Sequence, residues 1–142
     1  MSRKMTPNEC RAFLLEGTRT AKLATVRRNG ATHVVPIWFV LDGHDLLFTT
    51  GAGSVKAGNL RRDPRVCLCV DEEQEPYAYV MVEGEATFSE DLDEMLPVAT
   101  AIGGRYMGAG RAEEFGRRNA VPGELLVRVR PARVVGVADV TG

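Results

Sequence analysis

Lys56 stands in Thr49-Thr-Gly-Ala-Gly-Ser-Val-Lys56 among hydroxyls, two glycines and neutral polar groups. That combination can hold a phosphate. A flexible ammonium acts as a point charge. The Ser54 hydroxyl and the N–H groups of a helix start can share the anion. Asn59 lies about one turn further on, near the same face. Thr49 and Thr50 alternate across a strand, so one hydroxyl can point at the site. An ordinary solvated helix start would use the same residues. Arg61-Arg-Asp-Pro-Arg65 is a short basic run that reads equally well as a surface ion-pair cluster at a helix end. Trp38, the single tryptophan, suits a core, an interface between subunits, or a wall for a planar ligand. Tyr77 and Tyr79 share one strand face and suit either packing or flanking a ring.

No nucleophile–base pair and no metal-ligand spacing is visible, and the two histidines lack supporting partners. Asp91, Asp93 and Glu94 read as a solvated helix face. An enzyme built on this chain would leave the hard step to a bound cofactor.

These residues need elements to position them. The 142-residue chain is long enough for one domain with a real core, here residues 1–142. Its net charge of -1 gives no bulk attraction for nucleic acid or an acidic membrane. No apolar run reaches the length of a membrane span. Three cysteines and no secretory leader point to reduced thiols in the cytoplasm. Cys67 and Cys69 fall on one strand face, as small buried residues. Arginine outnumbers lysine 15 to 3, a weak mark of a GC-rich genome.

Thr6-Pro-Asn-Glu9 carries a capping box and opens a helix that Gly17 stops. Strands follow at Ala21–Arg27 and Thr32–Leu41, joined by Asn29-Gly30, a hairpin signal. Pro36 places the second strand at an edge or bulge, and a break there would free backbone donors for a ligand. Asp42-Gly43 leads into strand Asp45–Thr50. Ser54 caps a short helix ended by Pro64. Strands Arg65–Val70 and Tyr77–Phe88 come next, the latter bent at Gly84. Ser89 caps a helical region that Pro97 and Gly103-Gly104 split, and a last helix ends near Asn119. Strands Glu124–Arg130 and Arg133–Ala138 close the chain around Pro131. Seven hairpin-linked strands with helices in the gaps make the fold mainly β, a small antiparallel barrel with peripheral helices.

An ordered set of segments then carries a family resemblance. These are Leu23-Ala-Thr-Val26, Asn29-Gly30, His33-Val-Val-Pro-Ile-Trp-Phe39, Leu47-Phe-Thr-Thr50, Lys56-Ala-Gly-Asn-Leu-Arg-Arg-Asp-Pro-Arg-Val66, Val82-Glu-Gly-Glu-Ala86, Gly104-Arg-Tyr-Met-Gly108 and Leu126-Val-Arg-Val-Arg-Pro131. Together they resemble the pyridoxamine 5'-phosphate oxidase-like split-barrel superfamily, and within it the coenzyme F420-dependent oxidoreductases, found mostly in actinobacteria. The resemblance runs from about Arg19 to Val137. It implies a six- or seven-stranded antiparallel split barrel and a homodimer with cofactor sites at the subunit interface. It puts Thr49, Thr50, Ser54, Lys56 and Asn59 on the phosphate side, and Val35, Pro36 and Ile37 beside the ring. Tyr77, Ala78 and Tyr79 match a cofactor-contacting segment, and Arg105 and Tyr106 reach in from the second subunit. The Arg-rich phosphate signature and the vitamin B6 substrate motifs of the FMN-using oxidases are missing. The implied activity is hydride transfer from reduced F420 to a conjugated organic small molecule. The implied alternatives are an FMN-binding flavoprotein and a non-enzymatic cofactor carrier.

Overall fold

A computed structural model describes residues 1–142, and its strands follow the alternation in the sequence. The chain runs β1 (Arg3–Lys4), α1 (Pro7–Leu15), β2 (Ala21–Val26), β3 (Thr32–Ile37), β4 (Val40–Asp42), β5 (Asp45–Gly51), α2 (Val55–Arg62), β6 (Arg65–Glu72), β7 (Ala78–Ser89), α3 (Leu92–Met107), a single 3-10 turn, α4 (Ala112–Asn119) and β8 (Glu124–Ala138). One antiparallel sheet has the order β3-β2-β6-β7-β8-β5-β4, with the two-residue β1 added against β8. β3 and β4 end this path and do not pair with one another, which is the split of a split barrel.

Period-two patterning puts Ala21, Leu23, Leu46, Phe48, Val66, Leu68, Val70, Val80, Val82, Leu125, Val127 and Val129 on the inner face, all buried. α1 closes one side of this core with Cys10, Phe13 and Leu14, and α2 contributes Ala57 and Leu60. A second small cluster forms outside the barrel, where Met95 of α3 covers Leu47 and Leu126. Cys67 and Cys69 correct the sequence expectation. They alternate with Val66, Leu68 and Val70, so they face outward and are only half-buried, and only Cys10 lies in the core.

The α1 capping box forms in full. Glu9 N–H donates to the Thr6 hydroxyl at 3.2 Å, and Thr6 N–H donates to the Glu9 carboxylate at 3.0 Å. Arg3 also reaches that carboxylate, and the Arg3 and Thr6 bonds hold its pKa at about 2, below the ordinary 4.5. A lowered carboxylate pKa adds stability above 4.5 that disappears as pH falls through 2. The wild-type protein should therefore outlast Glu9→Gln in thermal melts at neutral pH. The two melting curves should converge between pH 4.5 and 2, whereas a constant gap would remove Glu9 ionisation as the cause.

Four element boundaries differ from the sequence reading. The expected strand Thr32–Leu41 breaks after Ile37, and β4 starts at Val40. The expected break at Pro97 is missing, and α3 runs unbroken through Pro97, which lies in its second turn with an exposed ring. Asp91, rather than Ser89, caps α3 by accepting the Asp93 N–H at 2.8 Å. The two closing strands are one, β8, with a bulge. Glu83 pairs with Arg133 and Gly84 with Pro131, which leaves Ala132 unpaired in the ladder. The Gly84 expectation was right about the bend: a Cβ there would collide with the Arg130 carbonyl.

Gly103 serves helix packing rather than helix termination. A Cβ on Gly103 would sit 2.6 Å from the Phe115 Cβ, so glycine lets α4 lie close against α3. Gly103→Ala should cost about 1–3 kcal/mol in urea unfolding, the usual scale of overpacking. An unchanged midpoint would show that α4 moves away freely.

A candidate cofactor cavity at the barrel split

Pro36 sits on an edge strand, as its missing N–H requires, opposite Lys22 of β2. Past Ile37 the chain leaves the sheet for two residues. The backbone groups freed there are not left for a ligand. Phe39 N–H donates to the Tyr106 hydroxyl at 3.3 Å, and the Phe39 carbonyl accepts from Arg105 at 2.9 Å. α3 thus fixes the break, and Trp38 is turned out of the barrel. Its ring stacks on Tyr106 with centroids 5.1 Å apart and planes 2° from parallel, and it meets Phe115 edge-on at 6.3 Å.

A cavity of about 390 Å³ opens beside this aromatic wall. The β3–β4 junction supplies Pro36, Ile37 and Trp38, and the β5–α2 junction supplies Thr49, Thr50 and Lys56. Ile102 of α3, Asn119 at the end of α4, and Glu124 at the start of β8 complete the lining. The Lys56 ammonium has no ion pair and no hydrogen bond to any group of the chain, and neither has the Glu124 carboxylate. Burial pushes the Glu124 carboxyl up, and the positive charge of Lys56 opposes that rise.

The fold therefore brings Pro36, Ile37, Thr49, Thr50 and Lys56 around one space. The remaining candidates lie elsewhere. Val35 is one pair short of the cavity, opposite Leu23. The Ser54 hydroxyl caps α2 by accepting the Ala57 N–H at 3.2 Å and also bonds the Thr50 hydroxyl at 3.1 Å, so it supports the cavity from behind. Asn59 is buried and turned inward. It donates to the Thr25 hydroxyl at 3.0 Å and accepts from Arg62 at 3.1 Å. Tyr77 and Ala78 line a separate groove with Phe13 and Arg19, and Tyr79 lies on the open outer sheet face. Tyr77 has φ +59°, a left-handed conformation uncommon for a tyrosine. Arg105 faces its own chain, with bonds to the carbonyls of Leu14, Gly17 and Phe39. Tyr106 likewise donates to the Arg19 carbonyl at 2.8 Å. Sequence reasoning missed Ile102, Asn119 and Glu124 altogether. Their positions depend on where α3, α4 and β8 meet, and no local motif marks them.

A wider concavity of about 660 Å³ lies on the outer sheet face at the β7–β8 bulge, between Arg65, Arg130, Glu83 and Glu85. It has no aromatic wall and none of the residues expected to bind a cofactor.

Residues 6–138 match the family model described as pyridoxamine 5'-phosphate oxidase. The chain belongs to this family. Its split barrel is also that of solved members and neighbours. A conserved hypothetical protein of Mycobacterium tuberculosis, Rv2991, is 27% identical with a TM-score of 0.80, over 92% of this chain and 82% of that one. A protein described as an F420 reductase is 27% identical with a TM-score of 0.67, over 85% of this chain and 92% of that one. A FAD-binding protein of Mesorhizobium loti shares the fold at 22% identity and a TM-score of 0.69, over 96% of each chain. No curated protein sequence is significantly similar to the chain. Solved proteins that share the fold are described as FAD-binding, heme-storing and heme-binding. No helix is long and apolar enough to cross a membrane.

Proposed function

We propose that the protein is an F420-dependent oxidoreductase that reduces a conjugated organic small molecule in the cytoplasm. The observation that carries this reading is the convergence of an unpaired Lys56 side chain, Thr49, Thr50 and the stacked Trp38 on one cavity. The likeness to the F420 reductase supports the choice of deazaflavin. The donor set fits such a group. Its volume lies within the ordinary range for small-molecule sites. One ammonium and a threonine hydroxyl suit a phosphate, and Pro36, Ile37 and Trp38 suit a planar ring.

When bound in reduced form, the cofactor would supply a hydride. The chain's own part is positional. Lys56 anchors the anion, Trp38 and Ile37 exclude water, and α3 keeps the wall rigid through Arg105 and Tyr106. No side chain of the cavity is assigned as proton donor to the product.

The functional unit in this reading is a homodimer. The outer face of β2, β3, β6, β7 and β8 presents Ala24, Val34, Cys69, Tyr79, Met81 and Val135 with no helix over them, and Val34 is 64% exposed. A second copy would cover that face, and its Tyr77–Tyr79 segment is then available to a cavity in its partner. Light scattering should return twice the 15.5 kDa subunit mass, and a monomer would remove the partner from the site.

The family description favours one second reading, an FMN-binding flavoprotein. Fluorescence titration with F420 and with FMN separates the two. Tight F420 binding, with reduced F420 consumed when quinones or enones are added, is the expected result. Retention of FMN through purification with no F420 binding would overturn the deazaflavin reading. Binding without turnover would make the protein a carrier.

A further inference from the structure

Glu124 is out of place in a simple anion site. It opens β8 opposite Gly51, the last residue of β5. Its backbone is fixed there. Glu124 N–H donates to the Val121 carbonyl at 3.1 Å, and the neighbouring Gly123 carbonyl accepts from Ala52 at 2.8 Å. Glu124 lines the same cavity as Lys56, Thr49 and Thr50, and its carboxyl feels the Lys56 charge. Other half-buried acids of the sheet are paired, Glu72 with Arg19, Asp71 with Lys22 and Asp45 with Arg128. Glu124 and Lys56 share a cavity and yet form no ion pair. Two opposite charges held apart across one space leave room for a ligand that satisfies both.

A bare phosphate cannot do so, because it would meet Lys56 and be repelled by the carboxylate. An ionised carboxylate is an acceptor only, so it needs hydroxyl or N–H donors. We propose that Glu124 is a specificity-determining residue that receives the hydroxyl donors of a polyol chain whose terminal phosphate is held by Lys56. FMN carries a ribityl chain ending in a phosphate monoester and F420 a ribityl chain esterified by a phosphodiester, so the inference rests on the flavin-type reading above and specifies how the site recognises that class. Desolvation of Glu124 makes the contact selective. A ligand without hydroxyls leaves a half-buried acceptor unpaired, and sites of that kind reject the poorer analogue strongly.

The test is a binding titration of wild type, Glu124→Ala, Glu124→Gln and Lys56→Ala. The ligands are FMN, riboflavin, which lacks the phosphate, and lumichrome, which lacks the ribityl chain as well. F420 and its chromophore without the phosphodiester tail are run in parallel. Glu124→Ala should weaken FMN and riboflavin by about tenfold or more and leave lumichrome unchanged. Glu124→Gln, which keeps a carbonyl acceptor, should lose less. Lys56→Ala should affect FMN and F420 and spare the phosphate-free ligands. Tighter FMN binding by Glu124→Ala with riboflavin unchanged would overturn the proposal, since the carboxylate would then only repel. Equal losses for all ligands would make its role structural and also overturn it. No change with Glu124→Ala, while the wild type binds, would overturn the Glu124 role alone. No binding by the wild type of any flavin or deazaflavin would end both this proposal and the cofactor reading.

Discussion

Lys56→Ala should weaken binding of a phosphate-bearing flavin or deazaflavin by about 10- to 100-fold, or about 1.5–3 kcal/mol, the scale of one charge-assisted hydrogen bond. The fold makes this a clean test. Lys56 is half-buried at the start of α2, and its ammonium serves no carbonyl, carboxylate or hydroxyl of the chain. Removing it leaves no orphaned partner behind, so the melting temperature should barely move. Lys56→Arg should restore charge without restoring full affinity, because a planar guanidinium does not replace a compact ammonium in a fixed cavity. Equal affinity for FMN in wild type and Lys56→Ala, measured at one ionic strength, would remove Lys56 from the site.

Arg105→Met should do the reverse and damage the fold more than the contact with ligand. Its guanidinium donates to the carbonyls of Leu14 at 2.7 Å, Gly17 at 3.0 Å and Phe39 at 2.9 Å. It also lies 4.6 Å from the Phe39 ring and 5.1 Å from the Tyr106 ring. One side chain thereby ties the end of α1, the loop after it and the β3–β4 break to α3. No carboxylate neutralises it, and burial lowers its pKa without removing the charge at any ordinary pH. Methionine would fill part of the volume and leave three carbonyls without a donor, a loss of about 3–4 kcal/mol. Lysine would reach fewer of the three and recover only part of it. Denaturant unfolding gives the answer. A midpoint close to wild type, combined with lost cofactor affinity, would return Arg105 to the ligand-binding role that the family resemblance implies.

Lys56 and Arg105 also mark what the sequence could and could not disclose. Features with local causes were legible. The Thr6–Glu9 capping box, the Ser54 cap, the turn at Asn29-Gly30 and the bend at Gly84 each follow from residues within a few positions. Thr49, Thr50 and Lys56 were legible because a strand-to-helix junction announces itself in residue types, whereas Pro36 and Ile37 were set beside a ring only by the family resemblance. Features with distant causes were not. β3 ends where it does because Arg105 and Tyr106, 66 and 67 residues further on, take the Phe39 backbone groups. Asn59 looked like a companion of Lys56 until Thr25 and Arg62 claimed its amide. Pro97 looked like a helix breaker, but α3 continues through it and forgoes the one bond that an N–H at residue 97 would make to the Asp93 carbonyl. Glu124 carried no signal at all, since its meaning comes from the opposite wall of the cavity.

Trp38 has one more consequence. It is the single tryptophan of the chain, and it forms part of the cavity wall in stacking contact with Tyr106. Flavins and deazaflavins absorb in the region where indole emits. A bound ring would therefore draw off that emission, and the molecule needs no label to signal occupancy. The same fluorophore would also register any loosening of α3 from the barrel split, so one optical channel distinguishes an emptied cavity from a disturbed wall.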